Sequence, residues 1–223
     1  MGPLLLINPN TSKPTTIEMV DVARAAATNH EAIIGATALR GSDLIDDDGK
    51  LATAAEAVVE LAQSLELAPY QGIIVSAFGD PGVEELRRRV PVPVTGIAEA
   101  GIFEAARDGR RFSIVTTTPR LASAINGRVA EYGFGDLYTG LRLTEGNPAE
   151  IMKDAVLLEE SLSQACEIAL VEDAAEAIVI GGGPLALSAV ALRRRFPVPI
   201  IEPVPAAVRL ALARAARHES LTI

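Results

Sequence analysis

Short aliphatic runs alternate with longer, alanine-rich amphipathic segments along the 223 residues of the chain. The short runs are rich in Val and Ile, which favours strands, whereas the longer segments carry apolar positions at helical spacing. Strands are predicted near residues 3–7, 31–36, 72–77, 92–96, 111–116, 139–143, 176–180 and 198–201. Strands that alternate with helices are typical of βα units, so the pattern predicts an α/β protein with parallel strands.

The amphipathic segments between these runs predict the helices. Helices are expected near residues 13–28, 52–66, 82–89, 98–107, 119–132, 149–172, 184–195 and 204–217. One connection stands out, because residues 39–50 (LRGSDLIDDDGK) form a polar loop that is long enough to overhang a site.

An internal repeat divides the chain. The segment LRRRVPVPVTGIAEA begins at Leu86, and LRRRFPVPIIEPVPA begins at Leu192, 106 residues later. Aligned by the strands before these segments, Ala77 corresponds to Gly182. The repeat predicts two similar parallel-sheet α/β lobes, related by a pseudo-two-fold axis, with a ligand cleft between them. We expect residues 1–95 plus 205–223 in the first lobe and 96–204 in the second.

Composition narrows the functional classes. The chain has 29 acidic and 20 basic residues, a net charge of −9 and 4% aromatic residues, which argues against a nucleic-acid partner. It has one cysteine and no apolar run of the ~20 residues that a membrane span requires. We therefore expect a cytoplasmic protein without a membrane partner, and, as is common for α/β proteins of this size, a homo-oligomer.

Polar and glycine residues collect where the predicted strands end. In open α/β sheets, ligands bind at the carboxyl ends of the strands, and helix N-termini there favour anions. The candidate ligand-binding residues are Asn10, Thr11, Ser76, Ala77, Phe78, Gly79, Thr116, Thr117, Gly182 and Gly183. The glycine-rich turn at 181–183 matches neither nucleotide-binding glycine motif, so a bound nucleotide is not expected. No metal site is expected either.

Three carboxylates are the candidates for acid–base chemistry. Asp80 follows the third strand, and Glu99 and Glu202 follow the two PVP strands of the repeat. Each would need a pKa raised by burial to act as a base near neutral pH. Asp80 has an alternative role as a cap for the helix that Pro81 and Gly82 open, and Glu99 has one in the first turn of its helix.

The other titratable candidates are expected away from the cleft. His30 lies in a predicted helix-to-strand turn at the rear of the sheet, and His218 lies in the C-terminal tail. Cys166 falls on the apolar face of a predicted helix, so we expect it to be a small buried hydrophobe.

Five segments resemble the aspartate/glutamate/hydantoin racemase superfamily, most of all its hydantoin and allantoin racemases. They are INPNTS (7–12), FGDPG (78–82), VPVTGIAEA (92–100), GRRFSIVTTT (109–118) and PVPIIEPVPAAV (197–208). The resemblance implies a cofactor-independent racemase in which two cysteines move a proton at a stereocentre beside a carbonyl. It places those cysteines at Ala77 and Gly182, and neither residue can carry a proton.

The sequence thus leaves open whether the protein is an enzyme. One hypothesis is an isomerase by descent, or a related lyase, that acts on a small carboxylate, amino-acid-like or hydantoin-like ligand with Asp80, Glu99 or Glu202 in place of thiols. The alternative is a catalytically silent binding or regulatory protein on the racemase fold. Two-thiol racemisation ranks lowest, because both thiols are replaced.

Overall fold

The computed structural model describes residues 2–27, 32–182 and 185–222. The predictions made for His30, for residue 31 at the start of a strand, and for Gly183 lie outside the described residues. The strands are β1 Leu4–Asn8, β2 Ile33–Thr37, β3 Gly72–Val75, β4 Val94–Gly96, β5 Phe112–Thr116, β6 Tyr138–Leu143, β7 Ala177–Ile180 and β8 Ile200–Ile201. The helices are α1 Lys13–Ala26, α2 Asp48–Ser64, α3 Val83–Arg89, α4 Ile97–Ala105, α5 Ala122–Glu131, α6 Pro148–Ile151, α7 Ala155–Val171, α8 Ala186–Leu192 and α9 Pro203–Thr222.

The strands form two sheets with the same order. The first sheet runs β2-β1-β3-β4 and the second β6-β5-β7-β8, and every pairing is parallel. Each of the eight predicted strands is present. The shared order confirms the prediction of an α/β protein built from two similar parallel-sheet lobes.

Both faces of each sheet are covered, as the aliphatic strand sequences require. In β1, Leu4 and Leu6 face a central core that lies between the two sheets, while Leu5 and Ile7 face α2 and α3 on the outer side. The second sheet repeats this arrangement, with Val179 in the central core and Ile178 in an outer core against α7. The central core joins the two lobes.

Helices α4 and α9 lie in this central layer. α4 packs against α9 and also contacts β7 and β8, and α9 packs against α1, β3 and β4. Because α9 returns to the first sheet, we propose that its residues belong to the first lobe.

Side-chain caps explain two of the differences between the predicted and the observed helices. The predicted helix 149–172 is two helices, because Asn147 caps α6 and Asp154 accepts from the N–H groups of Val156 and Leu157 to start α7. α2 begins at residue 48 rather than 52, because Asp47 Oδ1 accepts from the Lys50 N–H at 2.8 Å. An Asp or Asn at such a position satisfies N–H groups that the helix leaves unpaired.

None of the helices in the described part of the chain is both long and apolar enough to cross a bilayer.

Candidate functional site

A cavity of about 310 Å³ lies at the carboxyl ends of the strands, between residues of both lobes. Turns after β1, β3, β5 and β7 all reach it. Its lining consists of Asn10, Leu44, Ile45, Asp46, Ser76, Ala77, Phe78, Thr116, Thr117, Thr118, Pro119, Arg120, Leu121, Asn147, Pro148, Ala149, Met152, Gly181, Gly182 and Leu185.

Most of the ligand-binding residues predicted from the sequence meet at this cavity. Asn10, Ser76, Ala77, Phe78, Thr116, Thr117 and Gly182 all line it. Thr11 and Gly79 do not: the Thr11 N–H donates to Ser42 O, and Gly79 O accepts from Arg128 Nε.

The turn after β3 (residues 76–80, the first-lobe turn) contacts β1 and α1 of its own lobe and the turn after β7 of the other lobe. Ser76 Oγ lies 2.9 Å from Met19 Sδ, and its N–H donates to Ile7 O. Phe78 reaches across to the second lobe, where an ideal Cβ on Gly181 would lie 3.2 Å from the Phe78 ring. The glycine therefore allows the turns of the two lobes to pack directly against each other.

Hydroxyl and amide groups form the polar part of the lining. Thr116 Oγ1 donates to Gly181 O at 2.6 Å, and Thr117 Oγ1 lies 3.8 Å from Met152 Sδ. Asn10 Oδ1 accepts from Asn8 Nδ2 and from the Ser12 N–H. The side-chain nitrogen Nδ2 of Asn10 is therefore the group that can donate to a ligand.

The lining also includes residues that the sequence did not single out. The polar loop at residues 39–50 supplies Leu44, Ile45 and Asp46 to the lining. Pro148, Ala149, Met152 and Leu185 add an apolar wall, Asn147 adds an amide, and no sequence motif marked these residues. Their only signal was the Asn-Pro pair at 147–148, which indicates a turn and not a site.

Asp46 and Arg120 are the two ionisable side chains in the described lining, and they pair with each other. Arg120 Nη2 lies 3.0 Å from Asp46 Oδ2 and 3.2 Å from Asp47 Oδ2, and so joins the two lobes across the cavity. Lys50 also bonds Asp46 and, with Arg120, holds the pKa of that carboxyl below its usual range. The rest of the described lining carries no charge.

Asp80 lies outside the cavity lining and is fully buried. Its Oδ1 accepts from the Ala98 N–H at 2.9 Å, and its Oδ2 accepts from the Glu99 N–H and the Tyr132 hydroxyl, both at 2.7 Å. Burial raises the pKa of Asp80 to about 6, although the three donors oppose this rise. The predicted cap of α3 is wrong, because Gly82 stands at that N-cap without a side-chain bond, and Asp80 caps α4 instead.

Glu99 and Glu202 are also buried away from the lining. Arg214 binds both carboxylate oxygens of Glu99 at 2.7 Å, and Arg87 donates to Oε2. Burial favours the neutral form of Glu99, but the two guanidinium groups outweigh it and hold the pKa below its usual range. Glu202 Oε1 lies 2.7 Å from Arg193 Nε at a separate groove between α1, α8 and α9, and burial raises its pKa.

Cys166 and His218 do not line the cavity. Cys166 is fully buried in α7, and burial raises the pKa of its thiol to about 12, as expected of a small core residue. His218 lies on α9. The described residues also contain no group of three or more His, Cys, Asp or Glu side chains that would hold a metal ion.

The fold and the position of the cavity define a two-lobed α/β protein of the racemase type, and comparison with known proteins gives the family. Residues 4–211 match the profile of the Asp/Glu/Hydantoin racemase family. The chain belongs to that family.

Individual relatives agree. The chain is 30% identical to a hydantoin racemase of Paenarthrobacter aurescens over 209 residues, which covers 93% of this chain and 89% of the relative. The crystal structure of an allantoin racemase from Pseudomonas fluorescens is 30% identical, with a TM-score of 0.89 over 95% of this chain and 89% of that one. For the allantoin racemase from Klebsiella pneumoniae the identity is 33% and the TM-score 0.91, over 97% and 89%.

We predict that Gly96→Ala destabilises the protein. An ideal Cβ on Gly96 would lie 2.1 Å from the Asp80 carboxyl carbon, so the cap of α4 would have to move. The expected loss is about 2–4 kcal/mol in the free energy of unfolding, measured by urea denaturation. Gly127→Ala, in α5 with no atom within 4 Å of the new Cβ, is the matched control and should gain up to about 1 kcal/mol. Equal effects of the two substitutions would contradict this explanation.

The buried Asp80 also predicts a pH dependence of stability. Its folded-state pKa of about 6 lies above the value of about 3.9 expected in the unfolded chain. A raised pKa stabilises the fold fully below the unfolded value, and the contribution is lost as the pH rises through the folded value. The stability advantage of the wild type over Asp80→Asn should therefore shrink by roughly 2 kcal/mol between pH 4 and pH 7. Urea denaturation of both proteins across this range checks it, and an advantage that grows with pH would refute it.

Proposed function

We propose that this chain binds a small, neutral, hydantoin-like ligand in the cavity and does not carry out proton transfer through paired thiols. The observation that carries this proposal is the lining. Ala77 and Gly182 supply no acid or base, and the described lining has no ionisable side chain apart from the Asp46–Arg120 pair. Racemisation beside a carbonyl needs a base and an acid within reach of the stereocentre.

The ligand class follows from charge and polarity. An ionic group buried without a counter-charge costs far more than a neutral one that finds hydrogen bonds. The side chains of Asn10, Thr117 and Asn147 offer hydrogen bonds, whereas Met152 and Leu185 offer apolar contact. These groups suit a neutral ring with N–H and C=O groups and an apolar substituent, a class consistent with relatives named as hydantoin racemases.

The three candidate carboxylates, Asp80, Glu99 and Glu202, support this proposal because each has partners outside the cavity. Asp80 caps α4, Glu99 bridges two arginines, and Glu202 lies at a separate groove. We propose structural roles for all three. The cytoplasmic location and the homo-oligomer stay predictions from the sequence.

Two compounds with the same benzyl group, one a neutral hydantoin and one a zwitterionic amino acid, test the proposed ligand class. We expect 5-benzylhydantoin to bind the wild type and phenylalanine, with the same benzyl group on a zwitterion, not to bind, as measured by isothermal titration calorimetry. Ala77→Leu fills part of the cavity and should abolish the hydantoin signal. Tight binding of phenylalanine, or binding that survives Ala77→Leu, would contradict the proposed ligand class or its site.

A second experiment tests the absence of proton transfer. Solvent deuterium exchange at the stereocentre of 5-benzylhydantoin, followed by NMR, should be no faster with the wild type than without protein. The double variant Ala77→Cys/Gly182→Cys should accelerate it, after Leu185 moves by a few tenths of an ångström from a new Cβ only 3.0 Å away. Ala77→Ser/Gly182→Ser is the control, since serine has similar size but no near-neutral pKa. Exchange by the wild type would overturn the proposal and lead to mutation of the three carboxylates.

A further inference from the structure

The first-lobe turn is fastened to the second lobe by two side chains from one helix. Arg128 of α5 donates from Nε to Gly79 O at 2.8 Å. Tyr132, at the C-terminal end of α5, donates its hydroxyl to Asp80 Oδ2 at 2.7 Å. Both contacts cross from the second lobe to residues that directly follow Ala77 and Phe78 on the cavity wall.

The turn itself has an unusual backbone, so its shape depends on outside contacts. Gly79 and Asp80 have φ angles of 127° and 50°, and Gly82, just beyond the turn, has a φ angle of 77°, all in the left-handed region. Such conformations persist where the surrounding structure holds them in place. Besides the bonds of Ser76, the contacts that hold this turn include those to α5 and the two bonds from Asp80 to α4.

We propose that Tyr132 and Arg128 are positioning residues for the cavity: acting through Asp80 and Gly79, they set where Ala77 and Phe78 stand against the second lobe. The proposal deepens the proposed function and rests on it only for ligand binding. Neither residue lines the cavity in the described part of the chain, and neither was indicated by the sequence.

The hydrogen-bond directions make this coupling sensitive to the charge of Asp80. As a carboxylate, Asp80 accepts three hydrogen bonds, from Ala98, Glu99 and Tyr132. When it is protonated, one oxygen becomes a donor, and of the three partners only the Tyr132 hydroxyl can accept, so the bond to Tyr132 is the one that can reverse. The charged groups around it are Arg128 beside Tyr132, and Glu99, whose charge is held by Arg87 and Arg214.

The experiment follows backbone amides of the full chain by ¹H–¹⁵N NMR between pH 4.5 and 8. We expect Phe78 and Gly79 in the turn, Ala98 and Glu99 in α4, and Tyr132 to share one titration midpoint near pH 6 in the wild type. Tyr132→Phe removes a bond to the charged form, so the midpoint should move to higher pH. The same variant should weaken 5-benzylhydantoin binding at pH 7 by roughly three- to tenfold.

Tyr138→Phe is the matched control. Tyr138 is a second half-buried tyrosine of the second lobe, and its hydroxyl donates one 2.7 Å bond, to Asn126 and not to the turn. It should leave the midpoint and the binding unchanged.

The outcomes are distinguishable. Turn amides that titrate independently of Asp80 in the wild type, or that respond equally to the two tyrosine variants, overturn the proposal, and the wild-type titration decides the first point even if Tyr132→Phe does not fold. A shared midpoint that moves only in Tyr132→Phe supports it. If that result comes with no hydantoin binding by the wild type, the coupling stands and the proposed function fails.

Discussion

The structure depends on hydrogen-bond acceptors for the unpaired N–H groups at the N-terminus of α4. This helix lies buried in the central layer between the two sheets, where its first N–H groups have no access to water. Orphaned N–H groups in such a place are costly, and Asp80 accepts two of them. Gly96 lets the carboxylate approach, because no side chain stands in its way. One residue of the first-lobe turn thereby fixes the helix that joins the lobes.

The second copy of the sequence repeat solves the same problem by a different route. α9 starts at the equivalent place in the repeat, but its first residues are Pro203, Val204 and Pro205. The two prolines have no N–H group, so fewer donors need an acceptor. Glu202 stands where the first lobe has Gly96, and its carboxylate turns to Arg193. The lobes share a topology, yet the acidic groups serve different purposes in each.

Much of the architecture could be predicted because burial determines which positions along the sequence are hydrophobic. The aliphatic runs gave all eight strands, and the repeat gave the two lobes: Leu86 and Leu192, at its matching positions, are both fully buried. Seven of the ten candidate binding residues, chosen because they follow the carboxyl ends of strands, line the cavity. These features follow from periodicity and topology, which are properties of the backbone path.

The carboxylates show where that reasoning stops. Spacing placed Asp80 and Glu99 near strand ends, but it could not give the direction of a side chain or the partner it meets. Asp80 finds Tyr132, 52 residues away, and Glu99 finds Arg214, 115 residues away, and only the folded chain brings these partners together. Once Asp80 accepts three hydrogen bonds and Glu99 binds two arginines, a role as a mobile base would break the contacts that hold the lobes together. The same polar groups that make the fold possible are therefore withdrawn from the cavity, and its described lining is left with the Asp46–Arg120 pair, neutral donors and acceptors, and apolar side chains.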